Sequence, residues 1–267
     1  MSVYADLLRY RELFGSLFRR DIRAKYKGSV LGLAWTLALP TALMIVYLVV
    51  FAVLWKAQPT EAVDEYWLFL LCGLPPWVFF ATAVQSASRS LVENASIIRK
   101  VRFPRQLVPL SVVATEVVAF AAMTVIALGL ALWFRPGSRD LAWVAIPLAL
   151  VLVAFVAGFA LALAALNAVF RDVEFVVAAV LLPWFFLTPV LYRLEDLPGA
   201  ATRPWLVDAI HWGNPLTPAV EAYRAPLYTG ELPSGVDALY ACVAAIVALA
   251  IGALVFSAVD DRIASEA

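Results

Sequence analysis

Long apolar stretches alternate with short polar segments along this chain. A bilayer core about 30 Å thick is crossed by about 20 mostly apolar helical residues, and six stretches meet that requirement. The pattern predicts an all-α integral membrane protein with six transmembrane helices, forming a single transmembrane domain over residues 1–267. The predicted spans are 31–55, 67–88, 107–134, 141–169, 175–192 and 238–259.

Composition supports this fold class. Hydrophobic residues make up 64% of the 267 positions and charged residues only 15%, whereas about half of a soluble domain is apolar. An ordinary soluble domain is therefore excluded. The fifth predicted span is short, and we expect Pro183 and Pro189 to kink it.

The segment before the first span has the pattern of an amphipathic helix. Tyr10, Leu13, Phe14, Leu17 and Phe18 share one helical face. We predict a cytoplasmic interfacial helix within residues 1–29, with its apolar face in the acyl region and its basic face toward lipid phosphates or a partner. A plain positively charged anchor is the alternative. The basic residues singled out are Arg19, Arg20, Arg23 and Lys25.

The external segment 193–237 is too rich in proline to form one helix. Its apolar pieces, Trp205–Trp212 and Ala219–Tyr228, are too short to cross a bilayer. We predict interfacial or re-entrant helices, which are tolerated at membrane depth only when protein covers them. A cap on the membrane surface is the alternative.

Basic residues indicate the orientation. Lys and Arg are concentrated before the first span and in the loop Asn94–Arg105. The positive-inside rule therefore places both termini of this multi-pass protein in the cytoplasm. The same side holds the turn at Arg171 and Asp172, a second candidate contact for a soluble partner.

The sequence offers little for an enzyme. Its one histidine, His211, stands beside Trp212 in the external segment, without a second His or Cys at metal-ligand spacing. We interpret it as an interfacial residue and predict neither a catalytic residue nor a metal site. No Gly-Lys-Ser/Thr occurs, so the chain has no P-loop. We expect no cofactor on this chain, and if ATP drives the protein, ATP and Mg²⁺ bind a separate subunit.

Two intramembrane features leave alternatives open. Glu116 is the one carboxylate well inside a predicted span, so it should face the bundle interior, a subunit interface or water. It could relay protons in an ion-coupled secondary transporter or be a neutral or paired structural group. Aromatic side chains mostly serve packing, but some could line a sugar path. The candidates are Trp35, Tyr47, Trp77, Phe80, Trp184 and Phe185.

Three segments resemble a known family. Arg20–Gly32, Asn94–Pro109 and Gly213–Arg224 are similar to the membrane subunit of ABC-2 type polysaccharide exporters, the permeases that export O-antigen, teichoic acid and capsule. The resemblance covers nearly the whole chain, because six spans, an N-terminal interfacial helix and an external re-entrant region are also that family's plan.

The resemblance implies a homodimer that assembles with two copies of an ATPase subunit and moves a lipid-linked or growing polysaccharide between its protomers. It places a coupling helix around Val92–Val101. Membrane lipids are expected partners and nucleic acid is not. A drug or small-lipid exporter, a secondary transporter and, third, an intramembrane enzyme are the alternatives. The expected ATPase-coupling residues are Glu93, Asn94, Ile97, Ile98, Arg99, Lys100, Arg171 and Asp172.

Overall fold

A computed structural model of the chain describes residues 4–26, 65–101, 103–197 and 200–266, with single positions between 38 and 50. Regular structure in these ranges is helical, and they contain no strand. The α-helices are α1 (Ala5–Arg9), α2 (Arg11–Tyr26), α3 (Tyr66–Glu93), α4 (Ala95–Lys100), α5 (Leu107–Phe134), α6 (Ala145–Val169), α7 (Val173–Leu187), α8 (Pro204–Gly213), α9 (Leu216–Tyr228) and α10 (Gly235–Glu266).

Four elements in the described part are long and apolar enough to cross a membrane. They are Tyr66–Glu93, Leu107–Phe134, Ala142–Val169 and Gly235–Asp260. Each agrees within a few residues with a predicted span, so these four predictions are confirmed as membrane-length helices. Most of the first predicted span, 31–55, lies outside the described residues, as do Trp35 and Tyr47.

Helix α7 is shorter than predicted. It includes Pro183 but ends at Leu187, and its 15 residues rise about 22 Å, less than the bilayer core. Thr188 is extended at φ −94° and ψ 128°, because the ring of the following Pro189 disfavours helical backbone before it. Within the predicted fifth span, 175–192, the helix therefore ends at Leu187 and irregular chain follows it.

Helix α3 forms the centre of the bundle, where it packs against α5, α6 and α9. The closest pairing joins α6 to α10. A Cβ atom added to Gly158 would lie 2.3 Å from the backbone carbon of Ala248, and one on Gly252 would lie 2.3 Å from the carbonyl oxygen of Gly158. Only residues without side chains allow two helix backbones to approach this closely.

The two predicted short pieces are both helical but differ in burial. Helix α9 is mostly buried, with Leu216, Val220 and Tyr223 in the interior. Helix α8 has no buried residue, and Trp205 is 66% exposed. Protein therefore covers α9, as a segment at membrane depth requires, whereas α8 lies on the surface.

Candidate functional site

Helix α4 lies where the sequence predicts a coupling element. Asn94 separates it from α3 and donates a hydrogen bond from its side-chain amide to the carbonyl of Ser90 at 2.8 Å. This bond satisfies one of the carbonyls that are left unpaired where a helix ends. Helix α4 is thus a short element fixed directly to the end of α3.

The two isoleucines of α4 face in different directions. Ile98 is 8% exposed and belongs to a cluster with Leu17 of α2, Leu91 of α3 and Leu107 of α5. Ile97 is half-buried. The side chain of Ile98 is therefore enclosed by this chain's own core, and Ile97 is the isoleucine of α4 that remains partly accessible.

Charged residues occupy the outer surface of α4. Glu93, Arg99 and Lys100 are exposed, and Arg89 lies 3.8 Å from Glu93 one turn earlier. Val101 is also exposed and adopts an extended backbone after the helix. The structure therefore brings the exposed side chain of Val101 and the charges of Glu93, Arg99 and Lys100 together on a surface that a soluble protein can contact.

The turn between α6 and α7 lies at the same end of the bundle, since Ala164 and Ala165 of α6 pack in the cluster that holds Ile98. Arg171 and Asp172 are exposed on this turn. Asn167 is buried, and its side-chain oxygen accepts a hydrogen bond from the Glu174 amide at 3.0 Å. That bond satisfies a free donor at the start of α7, so the turn has a fixed shape.

Helix α2 is fastened along α5 by polar side chains. The ammonium of Lys25 lies 2.8 and 2.9 Å from the two carboxylate oxygens of Glu116. One turn before Lys25 in α2, Asp21 accepts a hydrogen bond from the Ser111 hydroxyl at 2.7 Å. Glu116 is only 5% exposed, and a buried carboxylate is stable when a cation compensates it. The structure therefore supports the paired, structural interpretation of Glu116.

The apolar face of α2 also contacts protein. Leu17 is buried, and Tyr10, Leu13 and Phe14 pack against the cluster that holds Ile98. The bundle therefore covers part of this face, while Tyr10, Leu13 and Phe14 remain half-buried. Of the other predicted basic residues, Arg19 and Arg23 are exposed, and Arg20 pairs with the adjacent Asp21 at 2.7 Å.

Four of the predicted path aromatics fall in the described part, and all four meet in one cluster. Trp77 lies 5.7 Å from Phe80 and 5.4 Å from Phe185, between ring centroids. Trp184 makes an edge contact with Phe80 at 5.1 Å. Trp77, Phe80 and Phe185 are buried, so these rings pack on one another in this chain.

Sequence reasoning missed a buried cation at the opposite end of the bundle. Arg224 of α9 is 6% exposed and donates to the carbonyls of Pro189 and Val190 at 2.7 and 3.3 Å. Its guanidinium carbon lies 3.8 Å from the ring centroid of Phe69, a cation–π distance. Arg224 lies within the predicted apolar piece Ala219–Tyr228, but hydropathy does not indicate that its charge is buried.

These features define a multi-pass α-helical membrane protein with a docked amphipathic helix and a short charged helix at one end. The chain belongs to the ABC-2 type transporter family, whose model matches residues 12–228. It is thus the membrane permease of an ABC transporter, a transport subunit, and such transporters work with an ATPase subunit. The predicted resemblance is confirmed.

Named relatives are similar over most of their length. The chain is 32% identical over 230 residues, 85% of both chains, to the O-antigen export system permease protein RfbA of Myxococcus xanthus. It is 32% identical over 224 residues, 83% of this chain and 82% of the other, to a protein of the same name from Klebsiella pneumoniae. A second Klebsiella pneumoniae protein of that name is 31% identical over 223 residues.

Proposed function

We propose that this chain is the permease subunit of an ATP-driven exporter that moves a lipid-linked or growing cell-envelope polysaccharide across the bacterial inner membrane. The observation that carries the proposal is the similarity to three O-antigen export permeases across more than four fifths of the chain. The membrane-length helices and the charged α4 face fit such a subunit.

The proposed topology has six spans and both termini in the cytoplasm. The stretch 31–55 supplies the first span, and α7 with the irregular chain up to residue 192 supplies the fifth. Both assignments follow from hydropathy. This orientation puts α2, α4 and the turn at Arg171 on the cytoplasmic side, where an ATPase would bind. It puts α8 and α9 on the outer side.

In the proposed assembly, two copies of the chain pair with two ATPase subunits, and α4 transmits movement. Ile97 would enter a groove of the ATPase, while Arg99, Lys100 and Glu93 fix the orientation by charge. The buried Ile98 and the hydrogen bond of Asn94 attach α4 firmly to α3. A push on α4 would therefore tilt α3 as a rigid body, the kind of domain movement that interfaces can amplify.

The polysaccharide would pass between the two protomers. The rings of Trp77, Phe80, Trp184 and Phe185 lie between α3 and α7, so cargo would reach them only if α7 moved away from α3. Aromatic faces suit such a path, because they contact sugar C–H surfaces without selecting one hydroxyl pattern. The carbohydrate-binding and ATP-binding parts would lie outside this chain.

The test is a reconstituted or in-cell export assay on Ile97→Ala, Arg99→Ala and Lys100→Ala combined. We expect the triple variant to insert normally and to lose glycan export, with ATP hydrolysis no longer dependent on cargo. Arg203→Ala, an exposed arginine at the other end, is the control and should export normally. Full, coupled export by the triple variant would contradict the role of α4. Export of a drug or lipid with no glycan requirement would contradict the cargo.

A further inference from the structure

A cavity of about 530 Å³ opens at the α8–α9 end of the bundle. Three helices each place one metal-ligating side chain on its wall: His211 from α8, Glu221 from α9 and Asp237 from α10. The Nε2 atom of His211 lies 2.8 Å from Oδ1 of Asp237, and its Nδ1 atom lies 3.5 Å from Oε2 of Glu221. One ligand atom from each residue lies within 4.8 Å of the others.

The charges around this cluster are unbalanced. The cavity wall also holds Glu195 and Asp208, so four carboxylates face two guanidinium groups. One of these, Arg193, pairs with Glu195, and the other, Arg224, donates to backbone carbonyls. The imidazole has a carboxylate at each nitrogen, although a neutral imidazole carries only one N–H. Either a second proton on the imidazole or a metal ion would balance these charges.

We propose that His211, Glu221 and Asp237 bind a divalent first-row transition-metal cation, with Zn²⁺ and Mn²⁺ as the probes. Imidazole and carboxylate ligands together suit these ions. Ligand atoms bound about 2.0–2.2 Å from one tetrahedral Zn²⁺ lie about 3.3–3.6 Å from each other, so Nε2 and Oδ1, which are 2.8 Å apart, separate slightly when the ion enters. One ion binds a single imidazole nitrogen, so Glu221, which lies at Nδ1, has to rotate toward Nε2. At 29% exposure it is the most exposed of the three side chains.

The cavity has room for a further ligand on the ion. Three protein ligands leave a coordination position open, as in catalytic or exchangeable zinc sites. Because the cavity is open to solvent, water can take that position.

The ion would also change the local energetics. Burial is the main reason that the pKa of the Glu221 carboxyl is raised, while Arg224 and His211 act to lower it. A bound divalent cation favours the ionised carboxylate, so it removes a cost of burying this group. Because its ligands come from α8, α9 and α10, the ion would hold the exposed helix α8 against the bundle.

The test uses the full-length chain with its ATPase in lipid nanodiscs, stripped with EDTA and titrated by calorimetry with Zn²⁺ and Mn²⁺ at neutral pH. We expect one ion per chain. Asp237→Asn should weaken binding at least about 10–100-fold. Asp208→Asn removes a carboxylate of the same cavity outside the cluster, and should change binding only slightly.

Two results overturn the proposal. If the wild-type chain takes up neither ion at saturating concentration, protonation of the imidazole alone balances the carboxylates around it. If Asp208→Asn and Asp237→Asn bind equally well, other residues hold the ion. Because variants can fold poorly, Co²⁺ is added to the wild-type chain as an independent probe. Visible absorption bands that EDTA abolishes support the site, and a colourless sample counts against it. None of these readouts depends on the exported cargo.

Discussion

Two buried charges, Glu116 and Arg224, are stabilised in different ways. Glu116 lies on α5 and is compensated by an opposite charge, Lys25, on the peripheral helix α2. Arg224 lies on α9, and its charge is compensated by two backbone carbonyls and the ring of Phe69. The first arrangement joins a surface helix to the bundle, whereas the second lies inside the bundle and holds the chain after α7 in place.

The difference indicates which end of the bundle, α2–α4 or α8–α9, can separate at the lower cost in free energy. The Lys25 side chain is 39% exposed, so water can replace its contact with Glu116 when α2 moves. The carbonyls of Pro189 and Val190 are enclosed, and moving Arg224 away would leave them without donors at a cost of about 1–3 kcal/mol each. We therefore expect the α2–α4 end to separate more readily than the α8–α9 end.

The largest expected effect comes from Gly73→Ala. A Cβ atom there would lie 2.2 Å from Nη2 of Arg224, so the methyl group displaces the guanidinium from its carbonyls. We expect a loss of about 3–5 kcal/mol in the free energy of unfolding, as for breaking a buried charged network. Arg224→Ala should lose a similar amount. Thermal unfolding in detergent, followed by tryptophan fluorescence, measures both.

The control for this prediction is Gly129→Ala on α5, where an added Cβ meets nothing within 4 Å. Alanine is the better helix former by about 1 kcal/mol, so this variant should be as stable as the wild type or more so. The sign of the effect thus distinguishes a steric conflict with Arg224 from helix propensity. Equal melting temperatures for the two variants would contradict the role given to Arg224.

Most of the fold could be predicted, because membrane helices are recognised by apolar length alone. The span 107–134 is found at those bounds, and three others differ by a few residues. Helix α7 was predicted too long because hydropathy continues through Val190 and Leu191 while Pro189 ends the helix. Local backbone sterics, which a hydropathy pattern does not contain, set that boundary.

The site was predicted less completely. The polar break between two apolar runs indicated a loop, and the family resemblance implied a helix in it, but the inward direction of Ile98 depends on the packing of α2, which is distant in sequence. The sequence also did not predict the cluster of His211, Glu221 and Asp237, because no second His or Cys stands at metal-ligand spacing from His211. Its members come from three helices and are up to 26 residues apart. Such clusters follow from tertiary contacts.

A second prediction separates the two isoleucines of α4. Ile98→Ala empties part of a packed cluster and should lower the free energy of unfolding by about 2–3 kcal/mol. Ile97→Ala removes a half-exposed side chain and should change it by about 0.5 kcal/mol or less. When equal amounts of folded protein are compared, Ile97→Ala should lose more affinity for the ATPase than Ile98→Ala, as measured by co-purification. The reverse order in either measurement would show that the inward and outward assignments are wrong.

The ion pair between α2 and α5 should contribute less than the buried Ile98, and a double-mutant cycle with Lys25→Met and Glu116→Gln measures its contribution. We expect a coupling energy of about 1 kcal/mol, because the exposed Lys25 keeps part of its hydration and the attraction is screened. Protease cleavage after α2 should become faster in both single variants.

ATP-driven export should persist in Glu116→Gln, because we assign this carboxylate to the attachment of α2 and not to proton transfer. Loss of transport in Glu116→Gln, with α2 still protected from protease, would instead support an ion-coupled transporter and would show that the charge at this end does more than join two helices.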